Sequence, residues 1–248
     1  MYAAERHRRI VEEARRTGRV AVAELAGSLG VTPETVRRDL TSLEEHGTLR
    51  RVHGGAIPVE RLEPTLATRT TRSTDEKRRI AARALDEIPA DGAVLLDSGS
   101  TTLAIAALIP VETHLTVVTN SVQAAALLTD HPNLDLLLLG GRVRGVTGAA
   151  VGTWTTSLLA GLSVDVAFVG TNGLSSRRGL STPDEAEAAA KSAMLEAAAR
   201  TVVVTDSGKF GVDHLHSFAP LSAIDLVITD DAAERDLLAE TGVEVVYA

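Results

Sequence analysis

The chain has no cysteine, which excludes disulfide staples, thiol nucleophiles and thiolate metal sites together. No apolar run approaches the roughly 20 residues needed to cross a bilayer. The charged start, Met1–Arg9, is followed by neither the apolar stretch nor the small-residue cleavage site of a secretory signal. With 44% hydrophobic residues, the expectation is a soluble globular protein of the cytoplasm with no membrane partner. Lysine is also scarce: only Lys77, Lys191 and Lys209 occur among 25 basic residues. A sequence that otherwise prefers arginine keeps lysine where a compact point charge is wanted.

The net charge of −8 argues against a polyanionic partner until it is divided along the chain. Residues 1–57 carry 10 arginines and no lysine against 8 acidic residues, or +2, whereas the remainder carries −10. His7, His46 and His53 add to the cationic end. A length of 248 residues has room for a small and a large domain, and any nucleic-acid footprint belongs to the first.

In Ala3–Arg16, Ile10, Val11 and Ala14 recur at helical spacing, and Gly18 is placed to end the helix. A second, shorter helix is expected over Ala21–Leu29. Gly30-Val31-Thr32-Pro33 then makes a tight turn that ends in an N-cap threonine and a proline at the first helical position. In the helix that follows, Val36, Leu40 and Leu43 form one apolar stripe, leaving Glu34, Arg38 and Thr41 opposite, flanked by Thr35 and Arg37. A helix, a glycine turn and a second helix with two arginines near its start is the layout of a recognition helix in the major groove. There arginine clamps guanine or neutralises phosphate. Leu49–Ala56 alternates apolar and basic residues up to a glycine pair, as a β-hairpin wing lying on the DNA backbone does. The alternative is a small helical bundle with solvated arginines.

Residues 58–75 are polar, threonine-rich and broken by Pro64, and read as a linker. Residues 76–248 change character. Apolar runs at Ala93–Leu96, Leu115–Val118, Leu134–Leu139, Val164–Val169, Thr201–Val204, Ile224–Ile228 and Val243–Val246 alternate with alanine-rich helical stretches, the signature of an α/β domain with a mostly parallel sheet. Five polar clusters follow such runs directly: Asp97–Thr102, Thr119–Ser121, Gly140–Arg142, Gly170–Gly173 and Thr205–Lys209. Ligands of open α/β sheets sit beyond the carboxyl ends of the strands, so all five are expected to converge on one rim. The first cluster leads into a helix, where free N–H groups and the helix dipole favour an anion such as phosphate. Read alone, it is equally a capped turn. Asp184, Glu187 and Lys191 share one helix face, as a ligand-binding set or as a surface ion-pair ladder.

Two stretches resemble the DeoR family of bacterial sugar-metabolism regulators. In the first, V-T-P-E-T-V-R-R-D-L is followed by a spaced L-x-R-x-H-G-G-A, up to Ala56. In the second, L-D-S-G-S-T-T at 96–102, V-T-N-S at 118–121, G-G-R at 140–142, T-P-D with E-A-A-A-K at 182–191 and D-S-G-K-F-G at 206–211 carry the likeness through nearly the whole chain. Ser100 and Gly208 depart from it, standing where threonine and serine are commoner. The resemblance implies a winged helix-turn-helix over 1–57, with Thr32, Thr35, Arg37 and Arg38 contacting DNA and Arg50, Arg51 and His53 on the wing. Asp39 is expected to hold an arginine instead. It implies a sensor domain similar in fold to ribose-phosphate isomerases and CoA transferases. In that domain Ser98, Gly99, Ser100, Thr101 and Thr102 would hold a phosphate, and Asp97, Asn120, Gly141, Arg142, Asp184, Glu187, Lys191 and Lys209 would surround a sugar. The expected protein is a cofactor-free, non-enzymatic repressor, a homodimer or homotetramer on an operator of double-stranded DNA, released by a phosphorylated sugar. The competing readings are a sugar-phosphate isomerase or ligase-like enzyme, with Asp97, Asp184 or Glu187 as general base and Lys209 as electrostatic stabiliser, and activation of transcription in place of repression. Asp213, His214 and His216 lack a third fixed ligand for a metal site, and Trp154, the only tryptophan, is expected in a core or an interface.

Overall fold

A computed structural model describes residues 3–17, 19–45, 48–58, 63–233, 238 and 242–248. Gly18, His46 and residues 59–62 of the expected linker lie outside them. The chain forms two compact units, Met1–Glu63 and Pro64–Ala248.

The first unit runs α1 (Ala3–Thr17), β1 (Val20–Ala21), α2 (Val22–Leu29), α3 (Pro33–Glu45), β2 (Leu49–Val52) and β3 (Gly55–Pro58). Its helices bury the faces their spacing selects: Ile10, Ala14, Leu25, Val36, Leu40 and Leu43 close one core with Leu49. Thr32 starts α3 as expected, its Oγ1 accepting the Thr35 N–H at 3.3 Å. The strands form an antiparallel sheet in the order β1-β3-β2. Val52 pairs with Gly55, leaving His53 and Gly54 as a two-residue turn. Glycine is required at 55, because a Cβ there would lie 1.9 Å from the Val20 carbonyl oxygen.

Asp39 sits on α3 but points inward and is 6% exposed. It accepts from Arg6 Nε at 2.5 Å, Arg6 Nη2 at 2.8 Å and His7 Nε2 at 3.0 Å, fastening α1 to α3. Burial alone would push its carboxyl up, but the Arg6 and His7 hydrogen bonds outweigh that and hold it below the usual carboxylate range.

The second unit runs α4 (Leu66–Thr70), α5 (Thr74–Ala84), β4 (Ala93–Leu96), α6 (Ser100–Ala106), β5 (Leu115–Thr119), α7 (Val122–Leu128), β6 (Leu134–Leu138), β7 (Arg142–Arg144) and β8 (Ala149–Val151). It continues through α8 (Thr153–Leu159), β9 (Val164–Val169), β10 (Gly173–Ser175), β11 (Gly179–Thr182), α9 (Glu185–Glu196), β12 (Ala198–Val204), β13 (His216–Ala219), β14 (Leu226–Thr229) and β15 (Glu244–Tyr247). Seven strands make a parallel sheet in the order β15-β14-β12-β9-β4-β5-β6, matching the seven apolar runs. Alternate residues serve opposite layers. Val94, Leu96, Val166 and Phe168 pack with Ile80, Ile105 and Leu128 of α5, α6 and α7. Leu95, Ala167 and Val169 pack with Leu159 and Met194 of α8 and α9.

Two features depart from the sequence reading. The short strands β7, β8, β10, β11 and β13 form separate antiparallel sheets; at three or four residues each, several bounded by glycine, they carry no usable period. The stretch expected to be a linker contains α4 and the start of α5. Thr65 Oγ1 accepts the Thr68 N–H at 3.2 Å and Leu66 is buried, so the threonines that look like linker composition supply caps.

Asp39→Asn is expected to lower the stability of the first unit by about 2–3 kcal/mol, read from denaturant unfolding of the whole chain. Because the native carboxyl titrates below its unfolded value, this contribution is present above about pH 4 and is lost as pH falls through the native value. Unchanged stability near pH 7 would contradict the clamp.

Candidate functional site

Between β4 and β9 the strand order diverges: β5 and β6 follow on one side, β12, β14 and β15 on the other. At the carboxyl ends of the strands around this switch point lies a cavity of about 230 Å³. Its walls are Ser98–Thr102 after β4, Gly170–Asn172 after β9, and Thr205, Asp206, Gly208 and Lys209 after β12. Glu187 and Lys191 enter from α9, and Arg69, Arg72, Ser73 and Lys77 from the α4–α5 turn.

The loop after β4 is shaped by its hydrogen bonds. Asp97 N–H donates to the Phe168 carbonyl at 3.0 Å, and Leu103 N–H donates to the Gly99 carbonyl at 2.9 Å, the first backbone bond of α6. The N–H groups of Ser100, Thr101 and Thr102 therefore precede any intrahelical acceptor and open α6 with the positive end of its dipole.

Beneath the loop, Asp97 is 1% exposed and accepts from Lys191 Nζ and from the Gly170 N–H, the latter at 3.0 Å. Lys191 also donates to the Gly170 carbonyl at 2.9 Å and lies over the Phe218 ring, 5.7 Å from its centroid. Burial pushes the Asp97 carboxyl up, while the ammonium and the Gly170 N–H oppose it. Asp184, Glu187 and Lys191 do not form a surface ladder, because each finds a partner off its own helix face. Glu187 is buried and accepts from Arg144 Nη1 and Thr147 Oγ1, both at 2.5 Å. Asp184 caps α9 by accepting the Glu187 N–H at 3.0 Å and pairs with Arg144 Nε at 3.1 Å.

The α4–α5 wall was not anticipated. Lys77 is buried, its Nζ donating to the carbonyls of Arg69 at 2.7 Å and Arg72 at 2.5 Å. Burial pushes its ammonium below the usual lysine value, with Asp206 opposing. Ser73 turns the chain here in the left-handed region, at φ 47°. The scarcity of lysine singles out Lys77; nothing singles out Arg69 and Arg72, which stand in the stretch taken for a linker.

The pocket gathers Ser98, Gly99, Ser100, Thr101, Thr102, Glu187, Lys191 and Lys209, with Asp97 beneath them. It does not gather Asn120, Gly141, Arg142 or Asp184. Asn120 is buried and donates to the Ala150 carbonyl at 3.0 Å. Gly141 and Arg142 line a separate depression with Trp154. The expected convergence of five clusters is thus corrected to three, those after β4, β9 and β12. The cluster after β6 sits at the sheet edge, and the cluster after β5 is engaged with β8. Trp154 is 77% exposed and is not a core residue. Asp213 accepts from Ser175 Oγ and pairs with Arg177, and His214 Nε2 is bonded to the Asn172 carbonyl.

On the first unit, Thr32, Arg37, Arg38, Arg50, Arg51 and His53 are exposed and Thr35 is half-buried. Arg37 pairs with Glu34 at 2.9 Å. Arg51 anchors the wing to α3, its N–H donating to Glu44 at 2.8 Å and its Nη1 to Thr41 at 3.2 Å. Among the described residues Arg38 and Arg50 have no ion pair. The result is a cationic helix face beside a basic hairpin, with the acidic Asp39 withdrawn into the core.

A winged helix-turn-helix joined to an α/β domain with a pocket at its switch point defines a DNA-binding regulator with a sensor domain. The chain belongs to the DeoR family: the family model for a DeoR-like helix-turn-helix domain matches residues 6–61, and that for the DeoR C-terminal sensor domain matches residues 72–231. The HTH-type transcriptional regulator GlpR of Haloferax volcanii is 39% identical over 99% of this chain and 98% of its own length. The glycerol-3-phosphate regulon repressor of Escherichia coli is 31% identical over 91% of this chain and 90% of its own. Among solved structures, ribose 5-phosphate isomerase A from Neisseria gonorrhoeae aligns with 56% of this chain and 54% of its own, at 16% identity and a TM-score of 0.40.

Lys191→Met leaves Asp97 as a buried unpaired carboxylate and is expected to destabilise the second unit by about 3–5 kcal/mol. Adding Asp97→Asn to that variant should recover part of the loss in thermal unfolding. A double variant no more stable than the single one would show that the charges are not coupled.

Proposed function

We propose that the chain represses transcription of a carbohydrate-metabolism operon and leaves its operator when a phosphorylated sugar fills the switch-point pocket. The observation that carries this reading is the pocket's chemistry: Lys77, Lys191 and Lys209, the three lysines of the chain, meet hydroxyl-bearing loops and a helix start in one cavity. Yet this part of the chain is acidic overall. Phosphate is suited to the N–H groups opening α6 within Ser98–Thr102, and Lys209, Thr205 and Asn172 offer polar groups for the hydroxyls of a sugar. The relative from Escherichia coli, named for a glycerol-3-phosphate regulon, supports an effector of this class.

Binding without turnover is the favoured role, because the three candidate general bases named from the sequence are already engaged. Asp97 is tied to Lys191, Glu187 to Arg144 and Thr147, and Asp184 to Arg144 and its cap. The operator is read by Thr32, Thr35, Arg37 and Arg38, with Arg50, Arg51 and His53 on the flanking backbone. A homodimer or homotetramer in the cytoplasm presents the winged helices as a set. Release requires the effector to bind the DNA-incompetent arrangement more tightly.

A gel-shift assay with the intact protein and its own upstream region tests this reading. Retardation at low salt should be relieved by a sugar phosphate. Arg37→Ala with Arg38→Ala should weaken binding by about 1–3 kcal/mol per lost base contact, or lower the salt slope by about 1 per lost phosphate contact. Normal operator occupancy by the double variant would contradict the assignment of the recognition face.

A further inference from the structure

Three buried charged groups lining the pocket are accounted for within the protein. Lys191 is held by Asp97 and Gly170, Glu187 by Arg144 and Thr147, and Lys77 by the Arg69 and Arg72 carbonyls. Arg69 is different. It lines the pocket, and its Nε and Nη2 are buried without a hydrogen-bond partner. A buried donor left unmade is costly, and a native fold keeps few of them.

The two orphaned atoms form one edge of the guanidinium, whose parallel N–H bonds match two oxygens of a single carboxylate or phosphate. This chain shows that edge satisfied elsewhere: Arg6 presents Nε and Nη2 to the two carboxylate oxygens of Asp39 at 2.5 and 2.8 Å. The backbone behind Arg69 is braced for such a task. Lys77 grips the Arg69 carbonyl, Thr65 caps the start of α4 and Ser73 closes the turn. The charges nearby also want an anion, since Lys209 and Arg69 both disfavour the charged form of Lys77.

We propose that Arg69 receives a second anionic group of the effector, so that the preferred ligand is a sugar with one phosphate and, away from it, a further phosphate or carboxylate. This rests on the reading above, in which the Ser98–Thr102 loop takes the first phosphate. A sugar bisphosphate and a phosphorylated sugar acid share the required chemistry.

Calorimetric titration of the full chain with matched pairs separates them: fructose 6-phosphate against fructose 1,6-bisphosphate, and glucose 6-phosphate against 6-phosphogluconate. At least one doubly anionic member should bind roughly tenfold or more tightly than its partner, as a charge-assisted pair of hydrogen bonds predicts. The pair that shows the ratio identifies the second group. Arg69→Gln should erase the ratio while holding monophosphate affinity within about threefold, and Arg69→Lys should restore only part of it, because an ammonium lacks the fork. Since the edge has no partner in the ligand-free protein, Arg69→Gln should melt no lower than the parent, which separates a lost contact from lost folding. Equal affinity within both pairs, or an Arg69→Gln variant weakened alike toward single and double anions, overturns the second site and leaves the sugar-phosphate reading standing. Failure of all four compounds to bind overturns both.

Discussion

A carboxylate and an ammonium removed from water at the junction of β4 and β9 set the geometry on which the second unit's pocket depends. Asp97 follows β4, Lys191 comes from α9, and the Gly170 backbone lies between them, donating to the one and accepting from the other. Such a pair adds little net stability, since two desolvated charges about offset their attraction. What it supplies is position. One ammonium fixes the loop that opens α6, the loop after β9 and the inward face of α9, which are three of the walls of the cavity.

The charge distribution follows the same logic in both units. In the first, Asp39 is drawn inward by Arg6 and His7, which takes a negative charge off the exposed face of α3 while locking α1 against it. Arg37, Arg38, Arg50 and Arg51 are left on the exposed side. In the second, Arg144 gathers Asp184 and Glu187, while Lys77, Lys191 and Lys209 line the cavity with hydroxyl-bearing loops and Asp206. Each unit thus holds one carboxylate beside its cationic surface in a buried clamp, Asp39 in the first and Glu187 in the second.

Much of this was legible in the sequence because the physics is local. Strands buried on both faces must be continuously apolar, and all seven runs became strands of one parallel sheet. Thr32-Pro33 carries its own start signal for α3, and the glycine pair its own turn. What escaped depends on tertiary placement. Arg142 follows an apolar run like the other site candidates, but its strand is the sheet edge, so its cluster faces Trp154 and not the switch point. Trp154 itself is exposed, which removes the core half of its expected placement and leaves the interface half. The α4–α5 wall was hidden by composition, since threonines that cap short helices look the same as threonines in a linker. Arg69 had no sequence signal at all, and its significance lies in a missing partner that only three dimensions disclose.

The central claim is that occupancy of the switch-point pocket and occupancy of DNA are linked, and linkage is reciprocal. The most direct measurement is a pair of titrations on the intact protein: operator affinity with and without saturating sugar phosphate, and sugar-phosphate affinity with and without saturating operator. The account predicts that both affinities fall by the same factor, about 5- to 150-fold for a typical coupling. A sugar phosphate that binds well while operator affinity stays unchanged would contradict it.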